Sequence, residues 1–370
     1  MVDRKYWVGL NLVTGIGPAK TQALLDAFDG DLKAAWNANA GALRAAGLDR
    51  RALKNLLKTR ANRDLDEEME RIGAKGISIL TWEDKDYPRL LKEIYDSPPV
   101  LYVKGQLLPE DEWAVAVVGT RAATAYGKEA ARRIADGLAR NDVTIVSGLA
   151  RGIDGVAHQA ALEAGGRTIA AMGCGLDIVY PPEHRHLAAQ VIQHGALISE
   201  YPLGTPPEGR NFPPRNRIIS GISLGAVIVE AGERSGALIT ADYALEQGRE
   251  VFAVPGNIFR RPSRGTNTLI QEGATPALSV EDILEALNLT MISKQQAVQA
   301  IIPENETQAR LLEYISADPI HVDEISQQAG LSINEVTSTL ALMELKGMVR
   351  QVEGMNYVLA RERSVDYVID

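Results

Sequence analysis

The stretch FPPRNRIISGISLGAVIVEAGERSGALITADYALEQGREVFAVPG, residues 212–256, leaves few folds open. Two short apolar runs, Ala226-Val-Ile-Val229 and Val251-Phe-Ala-Val254, are rich in β-branched residues and bounded by Gly and Pro. Such runs suit strands buried on both faces of a parallel sheet. Between them, 238–247 places apolar residues at helical spacing, and Gly248 closes the helix. Strand, helix and parallel strand make a βαβ unit, which crosses over right-handed. The loop Gly232-Glu-Arg-Ser-Gly236 then lies at the carboxyl end of the first strand, where open α/β sheets bind ligands. Arg210, Arg215 and Arg217 crowd the approach to this unit, with no lysine among them.

The alternation begins upstream. Composition and turn residues predict strands at 115–118, 143–146, 168–172 and 196–199, and helices at 126–140, 155–164 and 182–194. Strands and helices alternating at these lengths give an α/β fold, a Rossmann-like doubly wound parallel sheet. Ile77-Ser-Ile-Leu80 and Val100-Leu-Tyr-Val103 read as preliminary strands that extend this sheet or cover its edge. The expected organisation is a helical domain over 1–75, the extended sheet domain over 76–290, a linker over 291–303 and a further domain over 304–362.

The helical domain contains Leu12-Val-Thr-Gly15-Ile-Gly17-Pro18, the form of a helix-hairpin-helix (SAM-like) turn. Glycines permit the turn, and the amides that open the next helix can face a phosphate. Asp26, Asp29 and Asp31 follow closely and favour a helical interaction domain that keeps the turn without DNA. The last domain reads as three helices and a β-hairpin, a winged helix. Residues 304–370 hold five Lys+Arg against twelve Asp+Glu, a net of −7. A duplex reader needs cations against phosphates, so a protein contact or a regulatory role is expected there.

The whole chain carries a formal charge of −9, which argues against an indiscriminate polyanion binder. It leaves room for a local basic groove, because the Debye length at physiological salt is about 8 Å. A single cysteine, Cys174, excludes an internal disulfide and a CxxC zinc site. No apolar run reaches the ~18 residues of a membrane span, and the start of the chain, with Asp3, does not read as a signal peptide. A cytoplasmic protein without cofactor or metal is expected.

In a parallel sheet the loops at the carboxyl ends of the strands converge. Here they hold Gly119, Thr120 and Arg121; Ser147, Gly148 and Gly152; Arg210, Phe212, Arg215, Asn216 and Arg217; and Ser235 with Gly236. Glycines let backbone approach phosphate, and helix-opening amides carry partial positive charge. Arginine adds a planar fork and a stacking face, and Phe212 an aromatic platform. That combination suits single-stranded DNA, whose bases are exposed and whose backbone is charged. Each residue has a plainer alternative. Arg215 and Arg217 can pair with an internal carboxylate such as Glu230, Arg121 can be surface, and Phe212 can be core. Asp154 and His158, four apart on one helix, are expected to cap and to pack rather than to act as acid and base.

FPPRNRIISG, SGALITADYALEQGR and VFAVPG resemble the DNA-processing protein A family (DprA, also called Smf), densely from about 113 to 273 and more loosely beyond. The resemblance implies a non-enzymatic protein that binds single-stranded DNA, protects it and loads the recombinase RecA in natural transformation. It also implies a homodimer through the sheet domain, and it places Gly119, Arg121, Ser147, Gly148, Arg215 and Arg217 at positions of the phosphate-binding motifs. Thr120 stands where the family commonly has Ser, which keeps the hydroxyl. An alternative is a nucleotide-binding or nucleotide-cleaving enzyme of a related sheet. Against it, Glu230-Ala-Gly-Glu-Arg-Ser-Gly236 departs from a PGGxGT loop, and neither GxGxxG nor a Walker lysine motif is present. A third alternative, a duplex-DNA regulator using the winged tail, conflicts with the tail's charge.

Overall fold

A computed structural model describes residues 4–289, 305–315, 319–345 and 349–359, which fall into two units divided after Leu289. The linker expected at 291–303 lies outside the described residues.

The first unit opens with six helices: α1 (Arg4–Asn11), α2 (Pro18–Ala27), α3 (Leu32–Asn37), α4 (Ala40–Ala45), α5 (Arg50–Asn62) and α6 (Leu65–Ala74). Asp31, Asn39, Asp49 and Asp64 each cap the helix that follows by accepting backbone amides. Then come β1 (Ser78–Thr81), α7 (Arg89–Glu93), β2 (Val100–Gly105), β3 (Ala114–Val118), α8 (Ala125–Arg140), β4 (Thr144–Ser147) and α9 (Ile153–Glu163). After these run β5 (Thr168–Ala171), α10 (Arg185–His194), β6 (Gly195–Ser199), α11 (Phe212–Gly221), β7 (Gly225–Ile228), α12 (Gly236–Glu246) and β8 (Glu250–Ala253). α13 (Arg264–Gln271), β9 (Thr275–Pro276) and α14 (Val280–Ala286) close the unit.

The nine strands form one sheet in the order β1-β2-β6-β5-β4-β3-β7-β8-β9. From β6 to β9 every pairing is parallel, whereas β1 and β2 add antiparallel to the β6 edge. The sheet is therefore doubly wound, with the two early strands extending it. Side chains alternate between faces as the pleat requires. Tyr102, Ala170 and Leu197 join a core shared with the N-terminal helices, α9 and α10. Leu101, Val103, Ile169 and Ile198 join a second core with α11, α12 and α13. The hydroxyl of Tyr102 donates to Asn11 Oδ1 at 3.0 Å, tying β2 to α1. The helical segment over 1–75 and the sheet thus share one hydrophobic core.

The chain runs from β3 outward to β6, then returns to β7 on the other side of β3. That reversal opens a crevice above the carboxyl ends of β3 and β7, the place where such sheets take ligands.

The second unit contains α15 (Glu306–Leu312), β10 (Ile320–His321), α16 (Val322–Ala329), α17 (Ile333–Leu345), β11 (Val349–Val352) and β12 (Asn356–Leu359), with a sheet order β10-β12-β11. It is a winged helix around Leu311, Ile325, Val336 and Leu340. Among the described residues no helix is long and apolar enough to cross a membrane.

Candidate nucleic-acid interface

The loop leaving β3 is held to the end of β7 by Glu230. The Thr120 amide donates to the Glu230 carbonyl at 2.7 Å. The amide and hydroxyl of Thr124 donate to the two oxygens of the Glu230 carboxylate, at 2.8 and 2.7 Å. Glu230 is buried and sits against the start of α8, where a carboxylate complements the helix dipole. A Cβ on Gly119 would lie 2.5 Å from Ile153 Cγ1, so only glycine lets β3, α9 and the β7 loop approach this closely. Fixed at both ends, the loop presents Arg121 to solvent.

Opposite stands α11. Pro213 falls in its first turn, where the missing amide costs nothing. Phe212 opens the helix and is half-buried. The guanidinium carbon of Arg121 lies 5.3 Å from the Phe212 ring centroid and that of Arg215 lies 5.6 Å from it, while Tyr180 packs at 5.7 Å. Asn216 reaches α12 by donating to the Gly236 carbonyl at 3.2 Å. Ser235 caps α12 by accepting the Ala237 amide. Together these elements enclose a cavity of about 390 Å³ at the crevice.

The cavity contains eight of the residues picked out from sequence: Gly119, Thr120, Arg121, Phe212, Arg215, Asn216, Ser235 and Gly236. Its two cations are Arg121 and Arg215, and Asp154 is the one carboxylate among the described lining residues. Arg215 is buried, donating to the carbonyls of Gly148, at 2.8 Å, and of Ala171. Burial lowers its pKa and Asp154 opposes that. Asp154 is not the helix cap expected, since Gly152 holds that position. Its Oδ2 instead accepts the amides of Gly148 and Ala150, at 3.1 and 3.3 Å. Burial pushes the Asp154 carboxyl up, against Arg215 and those amides. Asp154, expected only as a cap, and Thr240 of α12, not anticipated from sequence, also line the cavity. Their positions within the first two turns of helices leaving strand ends were the available signal.

The other five residues lie elsewhere. Ser147 is buried and spends its hydroxyl on the Val117 carbonyl at 2.7 Å. Gly148 lies beneath the cavity, where a Cβ would meet the Arg215 guanidinium at 2.7 Å. Gly152, at φ +77°, packs on the Thr120 and Arg121 carbonyls. Arg210 is exposed and pairs with Glu208 at 2.6 Å. Arg217 does not face the cavity. It is buried, with Glu200 at 2.7 Å and Asp96 at 3.2 Å. The expectation of a phosphate contact from Arg217 is corrected accordingly, because its charge is met inside the protein. Glu230, the partner considered for it, is occupied by Thr124.

At the helix-hairpin-helix turn, Gly15 has φ +97° and Pro18 opens α2. Lys20 donates to the Gly15 carbonyl at 2.8 Å and pairs with Asp49 at 2.5 Å. Chiefly through that bond, Asp49 is lowered to about 2. The turn's cation is thus engaged by a carboxylate of the same unit.

Comparison with known proteins bears on this geometry. The family model described as DNA recombination-mediator protein A matches residues 78–288, and that for the DprA winged helix domain matches 295–355. Protein Smf of Synechocystis sp. is 35% identical over 392 residues, covering 96% of this chain and 98% of that protein. DNA processing protein DprA of Bacillus subtilis is 47% identical over 214 residues, 58% of this chain and 72% of that one. The X-ray structure of DprA from Streptococcus pneumoniae superposes with a TM-score of 0.68 at 35% identity, covering 77% of this chain and 98% of that one. A Helicobacter pylori DprA structure, described for its single-stranded DNA binding mode, gives 0.52 at 31% identity over 57% and 95%.

Proposed function

Because the chain belongs to the DNA recombination-mediator protein A family, we propose that it binds single-stranded DNA in the crevice between β3 and β7. The observation that carries the reading is the Arg121 guanidinium, exposed at the cavity mouth beside Phe212. The lining carboxylate, Asp154, is already engaged by backbone amides. A phosphate arriving there meets the Arg121 fork and the Gly236 amide that opens α12. A base meets the edge formed by Arg121 and Phe212. A duplex offers no free base faces, so discrimination against it follows from the same geometry. The Helicobacter pylori relative described for single-strand binding supports the choice of ligand.

The role is non-enzymatic. Cleaving a nucleotide at the sugar needs a carboxylate free to act in the site; Glu230 has both oxygens on Thr124, and Asp154 is held in place by the Gly148 and Ala150 amides on its Oδ2. We further propose that the bound strand is protected and passed to the recombinase RecA, and that the protein acts as a homodimer through its sheet unit. Two sites on one strand raise avidity through effective concentration. α12 and α13 are the first faces to test for pairing.

The decisive measurement is anisotropy of labelled oligo-dT and of a duplex of equal length, titrated against salt. Single-strand binding that weakens linearly in log salt, with the duplex bound less well, is the expected result. Equal binding of both, or none, would overturn the reading.

A further inference from the structure

Arg260, Arg261 and Arg264, prominent in the sequence, take no part in the cavity. They cluster where the 257–264 segment packs on the loop after β7: the Gly265 amide donates to the Ala231 carbonyl at 2.8 Å. Arg234, on that same loop, is exposed, as are Arg260, Arg261 and Arg264. Among the described residues Arg234, Arg260 and Arg261 have no carboxylate at ion-pair distance, and Arg264 reaches Glu233 only at 3.5 Å. Four guanidinium groups against one exposed carboxylate stand out on a chain of net charge −9.

Two aromatic rings accompany them. Phe259, next to Arg260, is 85% exposed, and Tyr126 is 53% exposed. The Tyr126 hydroxyl donates to the Pro255 carbonyl at 2.6 Å, which fixes its ring. Tyr126, Thr124, Glu230 and Arg260 line a second hollow of about 580 Å³. Both oxygens of Glu230 are held by Thr124 at the start of α8, whose dipole offsets part of that buried charge. The hollow adjoins the cavity through one loop. Gly119–Arg121 faces the cavity and Thr124–Tyr126 faces the hollow. An isolated exposed ring carries no message. Rings interleaved with unpaired guanidinium groups meet the two demands of a single strand, a charged backbone and open base faces.

We propose that this surface carries a second stretch of the same single strand, continuing from the cavity across the 119–126 loop, with Phe259 and Tyr126 as stacking platforms and Arg234, Arg260 and Arg261 on phosphates. The inference rests on the single-strand reading above and extends it to a longer footprint.

Strand length separates the two. Single-strand folds occupy about 4 to 16 nucleotides, so oligo-dT of roughly these two lengths is titrated with the wild type, with Arg121→Ala and with a triple variant, Phe259→Ala, Arg260→Ala and Arg261→Ala. All substituted side chains are exposed, and matching urea midpoints check the folds. The triple variant is expected to bind the long strand at least tenfold more weakly, with a salt slope shallower by about 1.4 for two lost phosphate contacts, and to keep its affinity for the short strand. Unchanged long-strand affinity, or equal losses for both lengths, would overturn the proposal. So would loss of self-association by sedimentation with strand binding intact, which would make the surface an interface between copies. Arg121→Ala tests the cavity alone: if it leaves short-strand binding untouched, the cavity reading fails whatever the triple variant does.

Discussion

Arg217 donates to Glu200 across 2.7 Å in the interior of the sheet unit, with Asp96 completing its charge at 3.2 Å. Burial works against the Arg217 charge, but the two carboxylates outweigh it and hold its pKa above the ordinary value. Burial pushes Glu200 up while Arg217 opposes that. Removing one member of such a cluster leaves the other uncompensated, at a typical cost of about 3–5 kcal/mol. Arg217→Ala is therefore expected to lower the urea midpoint steeply, while the protein that remains folded binds oligo-dT with unaltered affinity and salt slope. A variant of normal stability with weakened binding would return Arg217 to the phosphate path.

Arg121 makes the opposite prediction. It is exposed, and it contacts Phe212 rather than a carboxylate. Arg121→Ala is expected to leave the unfolding midpoint in place and to weaken oligo-dT binding by about 1.5–3 kcal/mol, the range for hydrogen bonds to charged groups. The log–log salt slope should flatten by about 0.7 for the lost phosphate contact. Lysine at this position keeps the charge but not the planar fork, so Arg121→Lys should restore the slope and only part of the affinity. Affinity unmoved in both variants would remove Arg121 from the site.

The contrast between these arginines marks the boundary of what the sequence discloses. Val115–Val118, Ala226–Val229 and Val251–Val254 announce buried strands because runs of β-branched residues bounded by Gly and Pro fit little else, and the sheet contains them. Arg121 follows β3 directly and Phe212 lies on the connection from the carboxyl end of β6 to β7, so both fall on the carboxyl rim of the parallel sheet. Arg215 and Arg217 are indistinguishable in one dimension. Two residues apart on a helix, their side chains diverge by roughly 200°, from 3.6 residues per turn; one meets the cavity and the other Glu200. Asp96 is 121 residues away from Arg217, and no local pattern specifies a pairing at that distance. Likewise the β6 edge received β1 and β2 by tertiary packing of Tyr102 on α1, which alternation alone leaves open.

Gly152 couples the loop after β4 to the loop after β3. Its φ of +77° disfavours any side chain, and a Cβ there would press on the carbonyls of Thr120 and Arg121, the latter at 2.7 Å. Gly152→Ala is expected to cost about 1–3 kcal/mol in stability through strain and overpacking. It should also weaken strand binding, because the displaced backbone carries Arg121. Gly204→Ala is the control: φ is +80° but nothing lies within 4 Å, so it should lose some stability and keep its affinity. If both variants bind alike, Gly152 does not position the site.

The winged unit offers a poor surface to a phosphate backbone. Residues 304–370 sum to −7, and α17 exposes Ile333, Asn334, Glu335, Ser338 and Leu342. Removing residues 290–370 is expected to leave oligo-dT affinity of the sheet unit unchanged at moderate salt. A large loss of single-strand affinity on truncation would assign the DNA contact to the tail instead.

His158 gives the fold a pH dependence of definite sign. The hydroxyl of Thr168 donates to the Ile145 carbonyl at 2.7 Å, so its oxygen must accept the Nδ1 proton of His158, also at 2.7 Å. The neutral ring then turns Nε2 toward the Leu149 amide, which donates to it at 3.3 Å. That bond helps hold Leu149 at φ +55°, as does His184, whose Nδ1 donates to the Leu149 carbonyl at 2.8 Å. Burial, followed by the charges of His184 and Arg215, lowers the His158 pKa to about 3. The unfolded chain takes up this proton below about pH 6.5. Between those values the unfolded state holds more protons, so stability is lost as pH is lowered, by up to about 1.4 kcal/mol per unit, and the contribution is complete above about pH 6.5. Urea unfolding from pH 8 down to 5 is therefore expected to show wild-type stability declining toward that of His158→Gln, which lacks this titration. Curves that stay parallel across the range would mean that His158 is protonated in the folded protein as readily as in the unfolded chain.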